Sequence, residues 1–471
     1  AGRPVPSTAQ GRVIALVPAV GGADAFGRQL ADNLAHYGPT TLIDPARAQE
    51  LLAEFGPFPL EAAGDAYGFV DWMRRQAGTF ANVIYFADPE YPNWARRVIE
   101  QADRLLIIGR AGDSPVLGPA ELLMRKLDHP ELLPPQELVL LHEREDDNPG
   151  DTEQWLARRA VIRHHHVAED SGKGLDRVSR FIRGRAIGLA LGGGGMRAAA
   201  CAGVVQLLEE MGIRPDVVGG TSAGSIVAAL YAMGYDAREM IDITNRQLMR
   251  QKIWLQPTLP LTSVMSGERL NQAYREVFGR VRMEDLWTSP FTISANLTRA
   301  EMVVHRDGPL DHAVRASTAI AGILPPALTQ EGELLIDGGV FNNTPADVAR
   351  AMVDTGPVIA VDLGYTKRRS IAYAYGDSLS GWKVFRSRIN PFAEALETPS
   401  IVSVMMRANA LGGITANAEQ LAHADLILRP PVGEFGLYDF DAADEIVAAG
   451  YGSAKAPLQA WIDAGGLVGA T

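Results

Sequence analysis

The chain contains two successive series of short apolar runs separated by amphipathic segments. In the first series, RVIALVPA, NVIYFA and RLLIIGR are almost continuously apolar, as is typical of strands buried on both faces of a parallel sheet. Between such runs, GFVDWMRRQA and NWARRVIEQA repeat apolar residues at helical spacing. This alternation predicts a doubly wound α/β sheet over roughly residues 11–170.

The second series begins at RAIGLALGGGG and runs through PDVVGG, FTISANLT, ELLIDGG and VIAVDLG to ADLILRPP. We therefore predict two α/β domains. Residues 1–180 form an N-terminal domain and linker. Residues 181–471 form a second domain, with its motifs at 186–350 and a C-terminal extension. The N-terminal domain has no phosphate-binding glycine motif, so we expect it to position or regulate the second domain without catalysis of its own.

The N-terminal domain ends in the polar stretch VIRHHHVAEDSGKG, which predicts a solvated strand or linker. It contains His164, His165 and His166. Three adjacent residues on a strand point to opposite faces, so they do not converge on one metal ion without further ligands. We therefore favour a structural role for the triplet over a metal site.

Composition narrows the function further. The 44 basic and 56 acidic side chains give a net charge of −12, which argues against broad electrostatic binding to nucleic acid. Cys201 is the single cysteine, so no intrachain disulfide forms and a reducing, cytoplasmic compartment is expected. No apolar run reaches the roughly 18 residues of a spanning helix. The first residues, AGRPVPSTAQ, lack the apolar core of a signal peptide.

The glycine loop in LGGGGMRAAA allows two interpretations. Gly193, Gly195 and Ala198 fit G-x-G-x-x-G/A after a strand and before a helix, the pattern of a dinucleotide-binding loop. That pattern also requires an acidic residue at the end of the second strand, about 20 positions on. Asp216 opens the strand PDVVGG instead of ending it. A dinucleotide-dependent oxidoreductase stays an alternative on this loop.

The end of that second strand carries a different motif. Gly220, Ser222 and Gly224 form G-x-S-x-G between the strand PDVVGG and the helical segment SIVAALYAMG. In a nucleophile elbow, the sharp turn needs small flanking residues and exposes the serine hydroxyl. The helix that follows directs its N–H groups toward developing negative charge. This context predicts that Ser222 is a nucleophile.

A serine nucleophile needs a base, and the sequence offers two candidates. Asp337 ends the apolar strand ELLID, where α/β sheets gather their sites, and Gly338 and Gly339 allow a sharp turn after it. A desolvated carboxylate with a raised pKa takes a proton directly from a hydroxyl, although an aspartate at a strand end also commonly caps a turn. His423 is the one histidine after Asp337, in a position where a structural role is more common.

Three nearby residues are expected to be structural. Cys201, on the helix after the glycine loop, is interpreted as a small packed hydrophobe. Asn342 and Asn343 follow the DGG turn, and we expect them to hold that turn by hydrogen bonds.

Three motifs in order, GGGGMR, GTSAG and DGG, resemble those of the patatin-like phospholipases, which are serine esterases with a Ser–Asp dyad. LTSVMSG, VHRDGPL, DGGVFNNTPAD and YGDSLSGW are similar to the neuropathy target esterase group of that family, and ALVP, GPTTLI and QADRLLIIGR to the segment upstream. The resemblance implies a three-layer α/β/α catalytic domain with Ser222 as nucleophile and Asp337 as base. The oxyanion hole that it implies comprises the loop residues Gly193, Gly194, Gly195, Met196 and Arg197.

The resemblance implies an enzyme that hydrolyses the acyl ester of lysophospholipids or phospholipids and releases fatty acid, without a metal or cofactor. Thioesterase and acyltransferase activities are related alternatives. The family usually has glycine at the position of Ala198, so close packing is in question there. Arg197 is interpreted as a contact to a lipid phosphate or to Asp337, or as a member of a surface ion pair.

The basic amphipathic stretch SLSGWKVFRSRINPF is the clearest indication of peripheral membrane contact. Packing against the core is the more common role of an amphipathic helix, so both interpretations stay open. The apolar residues at helical spacing are Leu379, Trp382, Phe385, Ile389 and Phe392.

Overall fold

The computed structural model describes residues 12–53, 60, 66–127, 129–145, 149–248, 251–364, 377–389, 398–399, 404–405 and 416–467. The chain divides into two compact units. The first comprises Ala1–Gly184 with Glu284–Trp287, and the second comprises Arg185–Met283 with Thr288–Thr471.

A six-stranded sheet forms the framework of the first unit. Its strands are β1 (Arg12–Pro18), β2 (Thr40–Ile43), β3 (Asn82–Phe86), β4 (Arg104–Arg110), β5 (Gln136–His142) and β6 (Arg163–Ala168). Its helices are α1 (Ala23–Ala35), α2 (Pro45–Ala53), α3 (Ala66–Thr79), α4 (Pro92–Gln101), α5 (Pro119–Arg125), α6 (Thr152–Leu156) and α7 (Gly172–Ile182). The strands pair in parallel in the order β2-β3-β1-β4-β5-β6. Because the order reverses direction at β1, the fold is doubly wound as predicted.

Both faces of this sheet are buried, which explains the continuously apolar runs. Val13, Ala15 and Val17 belong to one hydrophobic cluster, whereas Ile14 and Leu16 belong to another. The split arises because successive side chains of a strand point to opposite faces. Burial on both faces requires apolar residues at every position, so β1 shows no polar alternation.

The histidine triplet lies on a buried strand, so the prediction of a solvated strand or linker is wrong. The rings alternate between the faces of β6. His165 Nε2 lies 2.8 Å from Glu137 Oε2 on one face. On the other face, His164 and His166 each place Nε2 against the carbonyl oxygen of Glu284, at 3.0 and 2.8 Å. At least one hydrogen bond from each ring thus offsets part of the cost of its burial, while His165 Nδ1 has no partner among the described residues.

A mixed eight-stranded sheet forms the framework of the second unit. Its strands are β7 (Gly188–Leu191), β8 (Val217–Thr221), β9 (Ser289–Asn296), β10 (Glu301–His305), β11 (Ala327–Leu328), β12 (Leu334–Asp337), β13 (Val358–Val361) and β14 (Leu426–Leu428). Its helices are α8 (Ala199–Glu210), α9 (Ala223–Ala232), α10 (Ala237–Ile243), α11 (Gln251–Trp254), α12 (Glu268–Phe278), α13 (Leu310–Ser317), α14 (Ala346–Val353), α15 (Gly381–Ile389) and α16 (Ala443–Asp463). The strand order is β11-β12-β9-β8-β7-β13-β14, with β10 also paired to β9.

Helices cover the central strands of this sheet. Helix α9 packs on β8 and β9, α14 packs on β7 and β13, and α16 lies along α8. This arrangement confirms the predicted α/β class of the second domain. Within the described part of the chain, no helix combines the length and apolar character that crossing a membrane requires.

Candidate active site

Ser222 occupies a strained turn between β8 and α9. Its φ of 54° and ψ of −131° lie in a region that residues with a side chain rarely adopt. The backbone is tight here, since a Cβ on Gly224 would lie 2.5 Å, and one on Gly220 2.9 Å, from the carbonyl oxygen of Leu191. Glycine at both positions therefore lets the turn pack against β7 while the serine side chain projects from it.

Hydrogen bonds from neighbouring residues fix the conformation of this turn. The Ser222 amide donates to Ser317 Oγ at 2.9 Å, and the Ser225 hydroxyl donates to the Ser222 carbonyl at 2.5 Å. Ser317 is the last residue of α13, and it was not identified from the sequence as a contact. It lies in the stretch RAS, whose residues form no local pattern that indicates this contact.

Strand pairing places Asp337 opposite the end of the elbow strand. Strand β8 pairs with β9 in parallel as far as Thr221 and Ile293. Strand β12 pairs with the next residues of β9 in the antiparallel sense, with Asp337 opposite Ser294. Because β10 pairs along Thr292–Asn296 of the same strand, β8 and β12 must share the other edge of β9. They therefore meet end to end, and the residues at their ends face each other.

The Asp337 carboxylate accepts a backbone hydrogen bond and lies beside Ser222. The Gly339 amide donates to Asp337 Oδ1 at 2.8 Å, and the Ser222 hydroxyl is near enough to act as a donor that lowers the pKa of the carboxyl. Gly338 lets the chain turn beside β9, where an added Cβ would lie 2.4 Å from the backbone. The geometry brings together the serine and the aspartate that the sequence analysis singled out.

Burial changes the protonation of Asp337. Desolvation raises the pKa of the carboxyl from 3.8 to about 6, although the hydrogen bonds from Ser222 and Gly339 lower it. A carboxylate with a pKa near 6 is mostly ionised at neutral pH and is a stronger base than an exposed aspartate. The pair therefore has the chemical properties of a nucleophile and a general base.

Three of the five loop amides assigned to the oxyanion hole are already bonded, two of them to carbonyls outside the loop. The Gly193 amide donates to the carbonyl of Asn343 at 3.0 Å, and Asn343 Nδ2 donates back to the Gly193 carbonyl at 3.1 Å. The Met196 amide donates to the carbonyl of Leu437 at 3.1 Å. An amide that donates to a backbone carbonyl is not available to an oxyanion.

A third loop amide, that of Arg197, donates to the Gly194 carbonyl at 3.3 Å. The amides of Gly194 and Gly195 make no hydrogen bond to the residues that the structure describes. The Arg197 side chain holds the loop from another direction, because its Nε donates to the carbonyl of Phe435 at 2.8 Å. The available donors of the loop are therefore Gly194 and Gly195.

The dinucleotide interpretation does not fit the surroundings of the loop. In a dinucleotide fold the second glycine of the motif lets the backbone approach the pyrophosphate. That glycine is Gly195 here, and a Cβ on it would lie 2.5 Å from the carbonyl oxygen of Leu437, so protein occupies this approach. Asp216 instead joins the segments before β8 and β7, with Oδ2 accepting from the Ile187 amide at 2.9 Å.

The structure places the remaining residues that the sequence singled out. His423, the alternative base, is exposed, and no hydrogen bond joins it to Ser222 among the described residues. Cys201 is fully buried, and burial raises the pKa of its thiol to about 12, as expected of a packed hydrophobe. In the described part of the chain, the side chains of Asn342 and Asn343 do not bond to the DGG turn itself: Asn342 Nδ2 donates to Asp347 Oδ1 of α14 at 2.7 Å, and Asn343 Nδ2 donates to the glycine loop. Ala198 is buried, and α8 begins directly after it.

The amphipathic stretch contains α15, and the described members of its predicted apolar set are exposed. Leu379 is 36%, Trp382 77% and Phe385 54% exposed. The side chain of Ile389 and the whole of Phe392 lie outside the described residues. The described part of this helix therefore presents an apolar surface of the kind that marks interaction sites.

Comparisons with known proteins cover both units. Residues 189–350 match the patatin-like phospholipase family, and residues 11–185 match the Neuropathy Target Esterase family P-loop like domain. Patatin-like phospholipase domain-containing protein 6 of Homo sapiens is 33% identical over 95% of this chain and 34% of its own length. Neuropathy target esterase sws of Drosophila melanogaster is 30% identical over 98% of this chain and 34% of its own length.

Lysophospholipase NTE1 of Pyricularia oryzae is 29% identical over 98% of this chain and 34% of its own length. The chain thus spans about a third of the length of the curated relatives that it matches. Both family domains occur in order, and the similarity extends over nearly the whole chain. The chain therefore belongs to the neuropathy target esterase group of the patatin-like phospholipase family.

Proposed function

We propose that this chain is a serine esterase that hydrolyses the acyl ester bond of lysophospholipids and phospholipids and releases free fatty acid. The observation that carries the proposal is the position of the strained Ser222 beside the buried Asp337, whose pKa is raised to about 6. The substrate class follows the names of the relatives, which include a lysophospholipase.

In the first half-reaction, Asp337 accepts the proton of the Ser222 hydroxyl while the oxygen attacks the acyl carbonyl. The tetrahedral intermediate carries a negative oxygen. As it collapses, the ester C–O bond breaks, and Asp337 returns the proton to the departing alcohol oxygen of the lipid. The fatty acyl group then remains on Ser222 as an ester.

In the second half-reaction, Asp337 accepts a proton from water, and the hydroxide attacks the acyl-enzyme carbonyl. Collapse releases the fatty acid, and the proton returns to Ser222. A single carboxylate performs both proton transfers because it lies beside the oxygen that reacts in each step.

The amides of Gly194 and Gly195 are our proposed donors to the negative oxygen. They are adjacent, they lie in the loop before α8, and they have no partner among the described residues. A donor directed at the oxyanion contributes about 3–4 kcal/mol to the stability of the transition state. The bonded amides of Gly193, Met196 and Arg197 hold the loop in shape.

We also propose that the protein contacts the membrane surface through α15. Trp382 and Phe385 are exposed on this helix, with Lys383 and Arg386 beside them. Aromatic side chains enter the interface of a bilayer, and basic side chains are attracted to anionic lipid. Such contact would bring the esterase to a substrate that resides in the bilayer.

The test is fatty acid release from lysophosphatidylcholine by the wild type, Ser222→Ala and Asp337→Asn, with EDTA present throughout. We expect activity in the wild type and background release from both variants, because one variant lacks the nucleophile and the other lacks the base. EDTA should have no effect, since no step of the proposed mechanism uses a metal ion.

Other outcomes would change the assignment in specific ways. If Asp337→Asn keeps its activity while Ser222→Ala loses it, another group is the base, and His423 is the next residue to replace. If the wild type releases no fatty acid from lysophospholipid, the substrate class is wrong. Thermal unfolding of both variants controls for loss of fold.

A further inference from the structure

A pocket of about 310 Å³ lies between α12, α13 and the segment leading to β11. Its volume is in the range of small-ligand sites. Apolar residues form one wall, among them Pro326 and Leu328, and charged or polar residues form the other. The polar wall includes Arg275, His312 and Arg315.

Arg315 is an incompletely bonded cation in this wall. Its Nε donates to Asn271 Oδ1 at 2.6 Å, and its Nη2 donates to the Pro325 carbonyl at 2.7 Å. Its Nη1 is buried and makes no hydrogen bond. Both of its partners are neutral, and no carboxylate among the described residues forms an ion pair with it. A desolvated cation without an anionic partner is costly.

The charges around the pocket favour an anion. Arg275 and Arg315 carry positive charge, and Asp311 is the one acidic residue among the described lining residues. Burial lowers the pKa of the Arg315 guanidinium, but arginine stays protonated in proteins at neutral pH. An entering anion would therefore meet a net positive wall to which Arg315 contributes.

The same helix connects the pocket to the dyad. Two residues after Arg315, Ser317 accepts the amide hydrogen of Ser222. Thr318 Oγ1 accepts the hydroxyl hydrogen of Tyr274, which also lines the pocket, at 3.2 Å. The Ala319 carbonyl accepts the Asp337 amide hydrogen at 2.9 Å. A ligand that contacts Arg315 would thus lie about one helical turn along the chain from the groups that position Ser222 and Asp337.

We propose that this pocket binds the phosphate of the lipid substrate, with Arg315 as the principal ligand and Arg275 at the rim. The inference rests on the proposed esterase function, which supplies an amphiphilic phosphodiester as the ligand. Guanidinium groups suit phosphate oxygens in charge and geometry. The apolar wall suits the glycerol and the first carbons of the acyl chain.

Binding and kinetics test the proposal together on the full chain. The binding probe is hexadecylphosphocholine, which has the phosphodiester and no acyl ester, and the uncharged reference is 1-O-hexadecylglycerol. We expect Arg315→Gln to weaken binding of the phosphocholine probe about 10- to 100-fold, as loss of a charge-assisted hydrogen bond does. Binding of the glycerol ether should change less than about twofold.

The kinetic measurements should show the same preference for the phosphate-containing lipid. We expect Arg315→Gln to raise KM for lysophosphatidylcholine by about the same factor with little change in kcat, and to affect monoacylglycerol hydrolysis far less. Arg275→Gln should act in the same direction, and Arg275 is exposed, so this variant tests the pocket even if Arg315→Gln fails to fold. Arg280→Gln on the exposed surface is the charge-matched control.

Three results would overturn the proposal. Equal loss of affinity for the charged and uncharged probes would give Arg315 a structural role only. Unchanged affinity in both arginine variants would remove the pocket from lipid binding. If inorganic phosphate binds and loses affinity in Arg315→Gln while the phosphocholine probe does not, the site serves free phosphate. If the wild type hydrolyses no ester, the proposed function fails separately, and the binding arm still decides on the pocket.

Discussion

Asp337 should make the stability of the protein depend on pH in a defined direction. The pKa of this carboxyl is raised from 3.8 to about 6 in the folded protein, so the folded state binds the proton more tightly than the unfolded state. Its contribution to stability is fully present below pH 3.8 and is lost as the pH rises through about 6. Above that pH, the ionised carboxylate costs about 3 kcal/mol relative to a neutral side chain.

Asp337→Asn removes this cost, because asparagine is neutral and its Oδ1 can still accept from the Gly339 amide. We expect the variant to be more stable than the wild type by up to about 3 kcal/mol near pH 8 and by much less near pH 4. Urea unfolding at both pH values measures the difference. Ser222→Ala keeps the carboxylate but loses a donor that lowers its pKa, so this variant should show the same direction of pH dependence at least as strongly as the wild type. An equal effect of Asp337→Asn at both pH values would contradict the raised pKa.

At the residue scale, the sequence located the two residues that we propose as reacting groups, but it did not predict the hydrogen bonds around them. Ser222 and Asp337 were identified from their motifs, because a nucleophile elbow and a strand-end carboxylate have local signatures. The choice of available amides in the glycine loop has no such signature. It depends on the carbonyls of Asn343 and Leu437, which lie far from the loop in sequence.

At the scale of elements, apolar runs located the strands because burial on both faces leaves little ambiguity. This relation between apolar runs and strands failed for β6, because three histidines stand where apolar residues are expected. Their rings bond to Glu137 and to the Glu284 carbonyl, partners that only the folded chain brings near. Nothing in the sequence indicates that β8 and β12 meet end to end. Asp337 was expected at a strand end, but the antiparallel register that places it opposite Ser222 depends on pairing with β9.

The contact between α8 and α16 provides a prediction at this scale. A Cβ on Gly203 would lie 2.1 Å from the Val447 carbonyl oxygen, and one on Gly450 would lie 2.1 Å from that of Ala200. The helices therefore approach closely at two glycines. Gly203→Ala should lower the free energy of unfolding by about 2 kcal/mol, since forcing atoms into a packed contact outweighs the gain in helix propensity.

Gly452→Ala is the matched control on the same helix pair. An added Cβ on Gly452 meets nothing within 4 Å, so alanine should raise the free energy of unfolding by about 0.5–1 kcal/mol through helix propensity. Urea denaturation of both variants measures the two effects. If Gly203→Ala stabilises the protein as Gly452→Ala does, the close approach of α8 and α16 is not a constraint.

At the scale of the whole molecule, the groups that we assign to chemistry all lie in the second unit. The first unit matches a P-loop like domain, but residues 11–185 contain no G-x-x-x-x-G-K-[ST] sequence. That sequence supplies the backbone amides and the lysine that hold nucleotide phosphates. We therefore propose that the first unit positions or regulates the esterase and does not hydrolyse nucleotide.

The net charge of −12 makes membrane contact depend on a local feature. A protein of this charge is repelled by an anionic bilayer at long range, so attachment needs exposed apolar side chains with basic residues beside them. The described part of α15 supplies both, with Trp382 and Phe385 in ring contact at 6.0 Å between centroids. We expect the double variant Trp382→Ala, Phe385→Ala to bind vesicles containing phosphatidylserine about tenfold more weakly.

Cosedimentation with such vesicles measures this effect, and thermal unfolding should be unchanged because both side chains are largely exposed. Leu132→Ala is the control, since Leu132 is 62% exposed but belongs to the first unit and lies far from α15 in sequence. Added salt should weaken binding of the wild type, because the attraction of Lys383 and Arg386 to anionic lipid is screened within about 10 Å at 0.1 M ionic strength. Equal binding by the wild type and the double variant would show that α15 is not the membrane contact. Binding of a protein partner would then be the explanation for the exposure of Trp382 and Phe385.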